Sequence, residues 1–201
     1  MKSFFVIEDH TVTNIGLQQL IAQKAELTCI GSASSKAEAL EKIKALTELP
    51  DIITLDLFLG EENGLDLLRE IRTEYPSVKV LIYSMYAKPG ILSLALEAGA
   101  HGFVEKTAPE AILITAIKNI LAGDTYVQQN LVTPLLTYKT MYDGFTRQEQ
   151  RIFKKILERK SKAKIAEELN IVSRSVDNYI SRILEKTGCN RIEEVISKFG
   201  E

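Results

Sequence analysis

The sequence predicts an α/β domain on a five-stranded parallel sheet, followed by a small all-α domain. Three observations carry this. Short apolar runs alternate with helix-period segments five times over residues 1–123. Such β–α repeats imply a parallel sheet covered by helices on both faces. From Phe145 onward the apolar spacing is helical throughout.

Each element has its own signal. Phe4-Phe5-Val6-Ile7 reads as a buried strand, followed by Ile15, Leu17, Leu20 and Ile21 at helical spacing. Leu27–Ile30 is the second strand, and Ala37, Leu40, Ile43, Ala45 and Leu46 mark the helix after it. Ile52–Asp56 is the third, leading through Gly64 to a helix over Leu65–Ile71 that ends near Tyr75-Pro76. Val78–Tyr83 is the fourth, with a helix through Leu92, Leu94, Leu96 and Ala98 that Gly99 stops. Gly102–Val104 is a short fifth strand, and its helix opens at Pro109 and closes at Gly123, the favoured places for those two residues. Residues 124–144 break the rhythm with Pro134 and Asp143-Gly144, so they read as a linker with a short helix over Leu131–Tyr138. Thr146 and Glu149 have capping-box spacing ahead of Ile152, Phe153, Ile156 and Leu157. Two helices follow, Ser161–Leu169 and Ser173–Lys186, and Asn190 with Glu193 suggests a box opening a fourth, Arg191–Phe199.

Composition narrows the function classes. A hydrophobic fraction of 45% and a charged fraction of 26% are those of a soluble globular protein rather than a disordered one. No apolar run approaches the roughly 18 residues of a membrane span, and Glu8 and Asp9 follow the N-terminus too closely for a secretory signal. A cytoplasmic location without a membrane partner is expected. Cys29, a strand residue, and Cys189, a loop residue, lie too far apart for a metal cluster, and His10 and His101 read as loop residues without catalytic work. Residues 1–143 hold 12 Lys+Arg against 18 Asp+Glu, whereas residues 144–201 hold 13 against 9. A basic segment behind an acidic one suggests nucleic-acid binding by the second half.

Glu8 and Asp9 directly follow the first strand, and Asp56 ends the third. In doubly wound sheets ligands gather beyond the carboxyl ends of the strands, at the topological switch point. If the first and third strands are neighbours, three carboxylates converge there and call for a cation. Magnesium, a hard ion with oxygen ligands, suits them. Ser84 ends the fourth strand and Lys106 lies just beyond the fifth. A hydroxyl and an ammonium facing a metal-bound aspartate suit a transferred phosphoryl group, with Asp56 as nucleophile forming an acyl phosphate.

In this order Glu8-Asp9, Asp56, Ser84 and Lys106 resemble the receiver domain of bacterial two-component response regulators, over about residues 1–123. The resemblance implies a flavodoxin-like fold and phosphorylation on Asp56 by a sensor histidine kinase. It implies magnesium held by Asp9, Asp56 and the Phe58 carbonyl, with Glu8 reaching it through water. Phe103 takes the place of the switch aromatic. Departures lie in the loop Leu57–Gly64, where Gly60 replaces the usual proline, which predicts a more mobile loop, and Glu61 and Glu62 add negative charge.

Residues 145–199 resemble the four-helix output domain of the NarL/FixJ subfamily, shared with LuxR-type regulators. The likeness rests on Phe145–Glu149, Lys164–Leu169 with Ile171, Ser175-Val176 and Ile183–Gly188. It implies a helix-turn-helix on double-stranded DNA, with Ser173–Lys186 as the recognition helix. Val176, Ile180, Ile183 and Leu184 then face the core, leaving Arg174, Asp177, Asn178, Ser181 and Arg182 outward as base-reading candidates. Lys160, Lys162, Lys164 and Arg174 are the phosphate contacts expected. Asp177 stands where the family commonly has lysine and Tyr179 where it has histidine, while Val172 replaces the capping serine and passes that role to Ser173. The fourth helix resembles the family's dimer helix.

The domains expected are a receiver over 1–123, a linker over 124–144 and a LuxR-type DNA-binding domain over 145–201. The chain reads as a phosphorylation-dependent transcription regulator, not an enzyme, that dimerises on DNA and has RNA polymerase as a further partner. Two other classes stand beside it. One is an interaction module whose second half binds protein. The other is a phosphoaspartate hydrolase, which wants a second carboxylate where Phe58 sits.

Overall fold

The computed structural model describes residues 2–60 and 62–200. Met1, Glu201 and Glu61, whose charge was expected near the acidic site, lie outside the described residues. The chain forms two compact units, residues 2–86 with 95–128 and residues 87–94 with 129–200.

The first unit carries strands β1 (Ser3–Ile7), β2 (Thr28–Ala33), β3 (Ile52–Leu55), β4 (Lys79–Ser84), β5 (Gly102–Glu105) and β6 (Tyr126–Val127). All pair in parallel, in the order β2-β1-β3-β4-β5-β6. The sheet thus has the five strands expected and a sixth. β6 escapes the sequence pattern because two half-buried edge residues leave no period to detect. Helices α1 (Thr11–Lys24), α2 (Lys36–Ala45), α3 (Gly64–Glu74), α4 (Pro89–Glu97) and α5 (Glu110–Ala122) follow the strands in turn, with residues 89–94 of α4 counted in the second unit. Phe4, Val6, Ile52, Leu81 and Val104 of the sheet pack against Leu17 and Ile21 of α1 and Leu113, Ile117 and Ile120 of α5. Gly123 ends α5 with φ 107°, the left-handed cap for which glycine costs least.

Register places the strand ends side by side. Ile7 aligns with Leu55, Leu55 with Ile82, and Ser84 with Glu105. The point between β1 and β3 where the strand order reverses is therefore lined by Glu8, Asp9 and Asp56, where a doubly wound sheet binds its ligand.

The second unit is helical: α6 (Gln129–Asp143), α7 (Arg147–Leu157), α8 (Lys162–Leu169), α9 (Ser173–Thr187) and α10 (Ile192–Val195), which widens into a π turn over Ile196–Gly200. The helix expected at Leu131–Tyr138 is longer and runs through Pro134. Burial of Leu131, Leu135 and Tyr138 at i, i+4 and i+7 outweighs the proline's cost of about 3 kcal/mol. Tyr138 lies 6.1 Å from Phe153 and 5.9 Å from Phe199, ring to ring, so α6 is part of this core. The Thr146–Glu149 capping box forms as expected. Two other caps differ. Val172 precedes α9 without a side-chain cap, and Ser173 is already its first helical residue. Asn190 N–H donates to Glu194, not Glu193, at 2.8 Å, because Arg191 rather than Asn190 precedes the helix.

Candidate functional site

Asp56 stands at the centre of the first site, 4% exposed. Its backbone N–H donates to Ile7 O at 3.0 Å, continuing the β1–β3 ladder. The Ser84 hydroxyl donates to Oδ1 at 2.8 Å, and Phe58 N–H donates to the same oxygen at 3.2 Å. Lys106 Nζ reaches Oδ2 at 2.5 Å and Glu8 Oε2 at 2.5 Å. Lys106 is aimed by its own backbone N–H, which donates to Ser84 O at 2.9 Å. Burial alone would lower the Lys106 pKa, but its hydrogen bonds to Asp56 and Glu8 outweigh that and raise it, so the ammonium stays charged. Nearby, burial pushes the Tyr83 phenol up.

Glu8 is 1% exposed and its backbone carbonyl accepts from Asn14 Nδ2 at 2.9 Å, which ties α1 to the strand end. Asp9 Oδ2 accepts from Gly60 N–H at 2.9 Å, while its buried Oδ1 accepts no hydrogen bond. His10, read from sequence as an idle loop residue, joins these carboxylates. Its Nδ1 lies 2.8 Å from Asp9 Oδ1 and 3.2 Å from Glu8 Oε1. Immediate succession to Glu8-Asp9 was the signal available for it. The converging carboxylate oxygens of Glu8, Asp9 and Asp56 fit a hard divalent cation. Ligand atoms of Glu8, Asp9 and His10 lie within 4.8 Å of one another.

The loop after Asp56 is held at several points. Phe58 pairs with Asn63 and Leu59 with Glu62. Gly60 has φ 63°, which proline cannot adopt, and uses an N–H that proline lacks, so glycine here replaces one constraint with another. Glu62 accepts from Lys36 N–H at the start of α2, at 2.7 Å. Gly64 lies so close to the strand end that a Cβ would meet Asp56 O at 2.7 Å and Leu57 Cα at 2.6 Å. Phe103, expected as the switch aromatic, is fully buried beside Ile82.

The second site lies on α8 and α9. Val176, Ile180 and Ile183 are buried as expected, while Arg174, Asp177, Asn178, Ser181 and Arg182 are exposed. The lysines are engaged within the unit: Lys162 with Asp177 at 2.6 Å, Lys164 with Glu167 at 3.0 Å and Lys160 with Glu168 at 3.8 Å. The Ser181 hydroxyl bonds back to Asp177 O at 3.1 Å. Arg182 sits over the Tyr179 ring at 5.7 Å. Among the described residues Arg174 has no ion-pair partner, and no helix is long and apolar enough to cross a membrane.

Residues 4–118 match the family described as "Response regulator receiver domain", and residues 143–199 match "Bacterial regulatory proteins, luxR family". The chain is 30% identical to the DNA-binding transcriptional activator DevR/DosR of Mycobacterium tuberculosis, over 95% of this chain and 90% of that protein. A LuxR-family two-component response regulator from Aurantimonas superposes on 69% of the chain and 97% of its own, with TM-score 0.64 and 28% identity. RcsB from Salmonella enterica serovar Typhimurium, solved bound to a promoter in the presence of a phosphomimetic, covers 98% of this chain and 97% of its own at TM-score 0.73 and 17% identity, a likeness of fold.

Proposed function

Because this chain belongs to the response regulators, as a transcription factor with a receiver domain and a LuxR-type DNA-binding domain, we propose that phosphorylation of Asp56 governs its binding to DNA. The observation that carries the reading is the convergence of Ser84 and Lys106 on the two carboxylate oxygens of one buried aspartate. A sensor kinase's phosphohistidine would be the donor. The phosphorus–nitrogen bond breaks, a bond from phosphorus to an Asp56 oxygen forms, and the imidazole leaves and takes a proton from water. Lys106 offsets charge on the phosphoryl oxygens, and Ser84 hydrogen-bonds the product. Magnesium, held by Asp9, Asp56 and the Phe58 carbonyl with Glu8 reaching it through water, would neutralise further charge there.

A movement of Ser84 towards the phosphoryl group and a rearrangement of Phe103 would bias the receiver towards a form that dimerises or frees α9. A two-fold dimer would read an inverted repeat, with Arg174, Asp177, Asn178, Ser181 and Arg182 towards bases and Lys160 and Lys164 towards phosphates, while Lys162 stays with Asp177. RNA polymerase would be the next partner, and the cytoplasm the compartment where kinase and DNA are both reached. Intact-mass spectrometry after acetyl phosphate and magnesium tests the first step. The wild type should gain one phosphoryl group and Asp56→Asn none; a gain by both would contradict the assignment.

A further inference from the structure

Asp177 is an anion at the fifth position of a helix whose exposed side otherwise offers Arg174, Asn178, Ser181 and Arg182. A bare carboxylate there would repel DNA phosphates. It is not bare, because Lys162 Nζ at the start of α8 holds Oδ1 at 2.6 Å, and both side chains remain about half exposed at 54% and 53%. The pair is close to neutral, and the clamp fixes the orientation of the carboxylate while leaving Oδ2 available.

We infer that Asp177, held by Lys162, is a specificity-determining residue that selects cytosine in the DNA bound by this chain. The inference rests on the DNA-binding reading above and gives it one readable letter. The chemistry is one of elimination. An ionised carboxylate only accepts hydrogen bonds. In the major groove guanine presents the acceptors N7 and O6, thymine presents the acceptor O4, and adenine sets an acceptor beside its amine. Cytosine alone offers its N4 amine without an acceptor of its own beside it. Lys162 thereby acts on sequence choice through Asp177, as a positioning residue, and is withdrawn from the phosphate contacts expected of it.

The test is selection from a random duplex pool, using the full phosphorylated chain as wild type, Asp177→Ala, Asp177→Asn and Lys162→Met. The wild-type consensus should hold one cytosine per half-site whose replacement weakens binding about tenfold. Asp177→Ala should make that position degenerate and leave the others intact. Asp177→Asn should move it towards adenine, which asparagine reads through N6 and N7. Lys162→Met should blunt the same position without altering the rest. An Asp177→Ala consensus with every position unchanged would overturn the inference while leaving DNA binding in place. A wild-type pool with no enriched sequence would overturn the DNA-binding reading and this inference with it.

Discussion

Asp56 has both carboxylate oxygens engaged before any phosphoryl group arrives, one by Ser84 and Phe58 N–H, the other by Lys106. Lys106 also holds Glu8, so it is the cation that makes two buried carboxylates tolerable. Lys106→Met should lower the stability of the first unit by about 3 kcal/mol, because it leaves an uncompensated buried charge pair, and magnesium should restore part of the loss. Urea unfolding with and without the metal measures both. His101 gives a pH prediction. Burial first, then Arg72 and Lys79, lower its pKa from 6.5 to about 4. The unfolded chain therefore takes up a proton that the folded one refuses, so stability is full above pH 6.5 and falls as pH drops towards 4. His101→Asn should flatten that slope in thermal melts taken across the window. Asp56, Ser84 and Lys106 were legible in the sequence because each lies at or just past the end of an apolar run. Asp177's pairing with Lys162 was not, because 15 residues and a turn separate them.

At the scale of elements, legibility followed periodicity. Five strands and five connecting helices were announced by runs long enough to show a period. β6 was not, since it is two residues long and gains its place by pairing Tyr126 with Gly102 and Val127 with Phe103. Gln128 continues it, its N–H donating to Phe103 O at 3.2 Å and its side chain accepting from Glu105 N–H at 2.9 Å. α6 was read too short because a proline signal is local, whereas the burial that overrides it is tertiary. Pro134→Ala should therefore stabilise the helical unit by about 1–3 kcal/mol, seen as a higher urea midpoint. The capping box makes the opposite prediction. Thr146→Ala should cost about 1 kcal/mol by leaving the Glu149 N–H at the start of α7 without its acceptor.

For the whole molecule, the charge imbalance foretold a division of labour: an acidic first part and a basic second part. The structure refines the second. Lys160, Lys162 and Lys164 are each paired with an acid, so the excess charge available to DNA is smaller than the lysine count suggests. Lysines already paired within the protein release fewer counterions on binding, so the salt dependence should be shallower than the lysine count suggests. The segment between the receiver-like and DNA-binding-like halves is structured on both sides of Gln128, with β6 in one unit and α6 in the other. The claim that joins the halves is that a phosphoryl group on Asp56 changes DNA affinity. Fluorescence anisotropy on a selected inverted-repeat duplex, at one fixed moderate salt concentration, tests it most directly. With acetyl phosphate and magnesium the wild type should bind about tenfold more tightly, the size of an ordinary allosteric coupling, and Asp56→Asn should not respond. Equal affinity with and without the donor, or a response that survives in Asp56→Asn, would contradict the account.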